Sequence, residues 1–259
     1  MDLVLKDKVI LVTGGDKGIG KGISCALAEE GAIPVIIGRN EKDVLSTVEE
    51  IKEKGGMAFH AIVELTDSEQ CKKAIDKTIA HYGRIDGLVN NAGVNDGVGL
   101  EHGNYKDFLR SLERNVGHYY VMAHYALPHL KKNKGSIVNI GSKTSFTGQG
   151  NTSGYCAANG ARNSLTREWA LELLPYSIRV NAVIVAEALT PQYKRWISSF
   201  ENSEEKFKGI IKNIPLENRM TTVEEIANTV AFLLSKKSSH TTGQLIFVDG
   251  GYTHLDRAL

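Results

Sequence analysis

In the stretch SKTSFTGQGNTSGYCAAN, rich in hydroxyl side chains, Ser142 and Tyr155 stand thirteen residues apart. That separation is too long for neighbours on one helix. Their hydroxyls meet only if a strand end, a loop and a helix start bring them together, and a phenol beside an alcohol is suited to moving a proton. With a reference pKa of about 10 a tyrosine is a poor base at neutral pH, and a nearby cation or a buried anion hole is the remedy. The natural seat for a cation is one helical turn on. Asparagine stands there, Asn159, and it carries no charge.

A second group of residues suits a phosphate. Thr13 to Gly20 reads TGGDKGIG, directly after the apolar run KVILVT and at the opening of a helical pattern. Gly14, Gly18 and Gly20 allow a tight turn, close approach of the backbone to a pyrophosphate at the helix N-terminus, and close helix–strand packing; Lys17 and Ile19 share the turn. After the second strand, a carboxylate would accept a hydrogen bond from a free ribose 2′-hydroxyl, but this chain has Gly38 and Arg39. Arg39 with Lys17 suits a 2′-phosphate, so NADP is favoured and NAD stays open.

The elements that must position these residues follow from periodicity. Strands are predicted at 8–13, 33–37, 58–63, 87–90, 136–140, 179–183 and 244–248, and helices at 18–30, 41–54, 67–82, 105–131, 155–174 and 223–234. This alternation predicts one α/β domain over residues 1–259: a Rossmann-like, doubly wound parallel sheet of about seven strands with helices on both faces. Ligands of such sheets bind beyond the carboxyl ends of the strands, which puts the Gly14 turn, residues 90–93, Ser142 and the segment after Val183 on one rim. Residues 188–215 carry helical patches without a strand and are expected to form a substrate lid.

Composition narrows the classes. The chain has 259 residues, 42% of them hydrophobic, enough for one large core. A net charge of +1 gives no electrostatic case for nucleic acid or an anionic membrane, and no apolar run approaches a membrane span. Cys25, Cys71 and Cys156 lack metal-ligand spacing, so no metal site is expected and a cytoplasmic location is. His118, His124 and His129 make no metal face and are expected at the surface or a subunit contact, whereas Trp169 is expected in the core.

TGGDKGIG, the NNAG of residues 90–93, Asn115, Ser142 and Tyr155, in this order and spacing, resemble the short-chain dehydrogenase/reductase family over residues 6 to the C-terminus. The resemblance implies that Asn91, Ala92 and Gly93 shape the wall beside the adenine ribose, that Glu64 and Leu65 lie near the adenine, and that Thr190 holds the nicotinamide carboxamide. It further implies that Asn115 anchors a water in a proton relay, Ser142 holds the substrate oxygen and Tyr155 exchanges its proton. The chain departs from the family twice. Val185-Ala186-Glu187 stands where the family has Pro-Gly, and Asn159 stands where it has lysine. That asparagine is expected still to bond the nicotinamide ribose, but without the charge a rate loss on the order of a hundred- to thousand-fold is expected. Lys143, next to Ser142, is a candidate to replace the charge.

Within the family the strings NNAGVNDGVGL, SLERN, HYYVMAHY, SKTSFTGQGNTSGYCA and FVDGGYTHLDRAL most resemble sugar dehydrogenases of the L-fucose dehydrogenase type. The reaction implied is oxidation of an aldose to its lactone. Asn95, Ser142, Lys143, Gln149, Tyr155 and Glu187 would supply polar contacts to a sugar, and Trp196 a flat apolar face. Two alternatives stand beside this reading: a carbonyl reductase of a non-sugar substrate, and a dinucleotide-binding protein that no longer turns over. By resemblance a homotetramer or dimer is expected.

Overall fold

Seven short runs of aliphatic residues become seven parallel strands: β1 (Val9–Thr13), β2 (Ile33–Gly38), β3 (Phe59–Ile62), β4 (Gly87–Asn90), β5 (Ser136–Ser142), β6 (Arg179–Val185) and β7 (Leu245–Val248). The computed structural model describes residues 2–255, so the last four residues of the FVDGGYTHLDRAL string lie outside it. The strand order is β3-β2-β1-β4-β5-β6-β7, with β1 between β2 and β4. The inner strands are covered on both faces, which is why they read as unbroken apolar runs. Helices α1 (Gly18–Glu29), α2 (Glu41–Glu53) and α9 (Val223–Leu234) cover one face. Helices α3 (Ser68–Tyr82), α5 (His118–Asn133) and α6 (Ser153–Glu172) cover the other. This is the single-domain α/β Rossmann-like sheet that the alternation predicts, and the chain reverses direction across it between β1 and β4.

The expected single helix over 105–131 is broken. It consists of α4 (Tyr105–Leu112), a π-helical turn (Glu113–Gly117) and α5. The break centres on Asn115, whose Oδ1 accepts from the Val94 backbone N–H at 2.7 Å while its Nδ2 donates to the Ser111 carbonyl at 3.0 Å. Irregular turns of this kind offer main-chain carbonyls to groups outside the helix. The break also turns His118 inward: it is buried, against the expectation of a surface histidine. Trp169 is buried as expected.

Strands β5 and β6 run two residues beyond their predicted ends because Gly141 pairs with Ile184 and Ser142 with Val185. Ser142 thereby ends its strand on the rim, and Tyr155 falls in the first turn of α6. The segment 188–215 forms two helices, α7 (Pro191–Ser198) and α8 (Ser203–Ile211), tied at its root by a bridge from Ala188 to Thr221.

Candidate active site

The phosphate turn is held by its neighbours. Gly14 and Gly18 have φ of 61° and 50°, the left-handed region that favours glycine. A Cβ on Gly20 would lie 2.0 Å from the Gly14 carbonyl oxygen, so a larger residue there displaces the turn. Thr13 joins this turn to the loop after β4, its Oγ1 accepting from the backbone N–H of Asn91 at 2.9 Å and of Ala92 at 3.1 Å. A cavity of about 1200 Å³ opens from here along the carboxyl ends of the strands. Gly14, Lys17, Gly18, Ile19, Gly20, Arg39, Glu64, Leu65, Asn91, Ala92, Gly93 and Thr190 border it on the side of the glycine turn. Asn95, Ser142, Lys143, Gln149, Tyr155, Glu187 and Trp196 border the rest.

Two predicted residues are not in that lining. Asn159 is fully buried; its Nδ2 donates to the Tyr155 carbonyl at 2.9 Å and its Oδ1 accepts from Arg162 Nη1 at 3.0 Å. Its amide is engaged inside the protein, where the resemblance implies a contact to the nicotinamide ribose. Asn115 is also buried, and its carbonyl accepts from both Nε (2.8 Å) and Nη2 of Arg162. The backbone carbonyl of Asn115, the residue from which the resemblance implies a relay water, thus accepts from a guanidinium. Ser142 Oγ accepts from the Thr144 backbone N–H at 3.3 Å and from Thr144 Oγ1 at 3.1 Å, which leaves its own O–H to donate into the cavity. Tyr155 is half-buried and borders the same cavity.

At the other end, Lys143 Nζ forms an ion pair with Glu187 Oε1, and Tyr193 donates to Glu187 Oε2 at 2.6 Å. Burial first, and then the Glu187 carboxylate, push the Tyr193 phenol far above its usual range. Lys143 also lies 4.0 Å from the centre of the Tyr252 ring. Its charge is therefore committed to Glu187, which corrects the idea that Lys143 replaces the lysine missing at 159. Glu187 is held in turn by its carbonyl, which accepts from the Thr221 N–H at 3.1 Å; that bond fixes the path where Pro-Gly is absent. Trp196 packs edge-on to Tyr193 and Phe200 at 5.2 Å each.

A family model described as Enoyl-(Acyl carrier protein) reductase matches residues 14–253. The chain belongs to the short-chain dehydrogenase/reductase family. Relatives include the 3-oxoacyl-acyl-carrier-protein reductase of Thermotoga maritima, 33% identical over 248 residues and covering 95% of this chain and 98% of that protein. The 7alpha-hydroxysteroid dehydrogenase of Clostridium sardiniense is 35% identical over 253 residues, 96% of this chain and 94% of that protein. Among solved structures, Cj0485 dehydrogenase superposes with a TM-score of 0.95 at 46% identity, over 100% of this chain and 99% of its own. The aldohexose dehydrogenase of Thermoplasma acidophilum gives 0.89 at 30% identity, over 98% and 97%.

This short-chain dehydrogenase/reductase is an NAD(P)-dependent oxidoreductase, and the cleft fits the dinucleotide: Gly20 admits no Cβ, and the cavity extends from the turn to Ser142 and Tyr155. At its far end Arg39 lies 3.7 Å from Glu64, and Lys17 pairs with Asp43. Asp16 packs under Gly38, where an added Cβ would come within 2.6 Å of its Oδ1, and burial raises its carboxyl above the usual range. Sequence reasoning passed over Asp16 and Asp43, although both are carboxylates flanking the residues singled out there. It also passed over Arg162, seven residues after Tyr155 and so on the same helix face. An arginine among the core-facing positions of α6 was the signal. The three cysteines are free, and the described residues hold no cluster of metal-ligating side chains.

Proposed function

We propose that this oxidoreductase oxidises a sugar hydroxyl, taking an L-fucose-like aldose to its lactone, with NADP favoured and NAD left open. The observation that carries the reading is the part-buried ion pair of Lys143 and Glu187 with Tyr193, set on the cavity wall where Lys143 follows Ser142. A pyranose offers hydroxyls to the donors and lone pairs this cluster has left, and Trp196 offers the flat face a sugar ring stacks on; a steroid or acyl chain would take water from the ion pair and offer it no hydrogen bond. The name of the aldohexose dehydrogenase relative supports the same reading.

In this mechanism the glycine turn, Asn91 to Gly93 and Thr190 hold the dinucleotide, while Ser142 donates to the reacting oxygen. Tyr155, as phenolate, takes the hydroxyl proton. The nicotinamide, when bound, supplies the hydride acceptor. The lid helices α7 and α8 exclude water from the site.

A panel of aldoses, 3-oxoacyl thioesters and hydroxysteroids assayed with NADP and NAD tests the proposal. Oxidation of aldoses with C6-deoxy sugars preferred is the expected result. Turnover of thioesters or steroids alone favours the second reading, reduction of a non-sugar carbonyl, which the names of the two curated relatives support. A homodimer or tetramer fits the exposed Tyr105, Leu109 and Tyr120 on α4 and α5 and Leu171 on α6, and light scattering reads it directly. No helix among the described residues is long and apolar enough to cross a membrane.

A further inference from the structure

We propose that Arg162 is the cation that serves Tyr155, a positioning residue that acts from the second turn beyond the tyrosine and makes Asn159 its linker. The inference rests on the reading of Tyr155 as the proton-transfer group. Tyr155, Asn159 and Arg162 fall at i, i+4 and i+7 of α6 and share a face. Arg162 is 2% exposed, yet among the described residues no carboxylate lies within ion-pair distance of it. Its guanidinium donates to neutral oxygens: the Asn115 carbonyl, the Ile140 carbonyl at 3.1 Å and Asn159 Oδ1 at 3.0 Å. Asn159 passes the contact on, because its Nδ2 holds the Tyr155 carbonyl. The amide at 159 therefore ties the arginine to the tyrosine's own turn.

A buried charge without a counter-charge is expensive, so a fold that keeps one gains where negative charge develops nearby. Three titratable groups besides Arg162 face this point. Tyr119, on α5, lies 4.4 Å from Cζ by its ring centre, but its hydroxyl is spent on the Ile140 carbonyl at 2.9 Å and burial holds its phenol far up. His118, also on α5, is held neutral, pushed down to about 3 by burial first and then by Arg162. Tyr155 is the third, its ring centre 6.0 Å from Cζ, and its side chain borders the cavity. Lys143, across the cavity on the loop after β5, is neutralised by Glu187. The guanidinium also lies under the cofactor-side loop: a Cβ on Gly93 would come within 2.6 Å of Nη2. Arg162 thus sits among the same elements, α6, the Asn115 turn and the loop after β4, that bring the phenol to the cleft. A guanidinium this close to a side chain that carries negative charge during proton transfer stabilises that charge by Coulomb attraction.

The test is the ultraviolet titration of Tyr155 in the chain without substrate or dinucleotide, read as native minus Tyr155→Phe. Arg162→Gln, which keeps hydrogen-bonding capacity, and Arg162→Met are expected to move that titration up by more than one pH unit. Arg162→Lys is expected to move it by less than half as much. In turnover the neutral variants should lose about a hundred-fold in kcat at pH 7 with KM within a few-fold, and the rising limb of the pH profile should move up in step. The pair Asn159→Lys, Arg162→Val puts a charge back one turn away and should restore the low titration. This pair carries the test if the neutral variants do not fold. An unmoved titration in a folded neutral variant, or a high one in the folded pair, overturns the proposal. Because the titration needs no substrate, a chain that ignores every aldose but shifts as expected loses the sugar reading and keeps this one.

Discussion

Asn159→Lys restores the residue that the family carries at this position, and sequence reasoning expects it to speed the reaction. The structure attaches a cost in stability to the single change. Residue 159 is fully buried, and Arg162 Nη1 lies 3.0 Å from its Oδ1. A lysine here brings an ammonium to about 4 Å from the guanidinium, a repulsion of about 4 kcal/mol at an effective dielectric of about 20. It also removes the two hydrogen bonds of the amide, about 1 kcal/mol in all once reorganisation is allowed for. The sum, about 5 kcal/mol, is a large part of the 5–15 kcal/mol that typically holds a domain together. With an unfolding entropy of about 2.1 cal/mol/K per residue, a chain of this length should lose roughly 9 °C in Tm. Scanning calorimetry at pH 7 on native, Asn159→Lys and Asn159→Lys, Arg162→Val measures this. The double variant should regain most of the loss because the second cation is gone. A single variant with Tm within 2 °C of native and a raised kcat would refute the reasoning that Arg162 fills the charged position.

Arg39→Asp should weaken NADP binding about ten-fold or more and leave NAD within a few-fold, because Arg39 borders the cavity and its ion pair with Glu64 is long, at 3.7 Å; fluorescence titration reads both. Gly20→Ala should abolish binding of either dinucleotide by displacing the Gly14 carbonyl, 2.0 Å from the new Cβ, while circular dichroism stays that of a folded α/β protein. The Asp86 carboxyl is pushed up by burial, but hydrogen bonds from Arg84 and the Val9 N–H and the charge of Lys8 outweigh this and hold it below the usual carboxylate range. Its stabilisation is therefore present above the unfolded value of about 3.9 and lost as pH falls through the lower folded value. Urea midpoints between pH 2.5 and 6 should fall steeply toward acid in the native chain and less steeply in Asp86→Asn.

Local chemistry dictated much of this protein. The glycine turn, the apolar runs of the strands and the ends of α9 are written in short-range signals: no side chain at Gly20, β-branched residues in β1, Thr222 and Glu225 forming a reciprocal cap. Those features depend on residues close in sequence, so a linear reading finds them. The break at Asn115, the burial of His118 and the fates of Lys143 and Asn159 depend on partners far along the chain. Lys143 meets Glu187 44 residues away, and Arg162 meets the Asn115 carbonyl across 47. Spacing along α6 names the residues that share a face with Tyr155, but which of them carries the charge to it is set by a carbonyl that another helix presents. Charge acts through space, and only the folded chain fixes that distance.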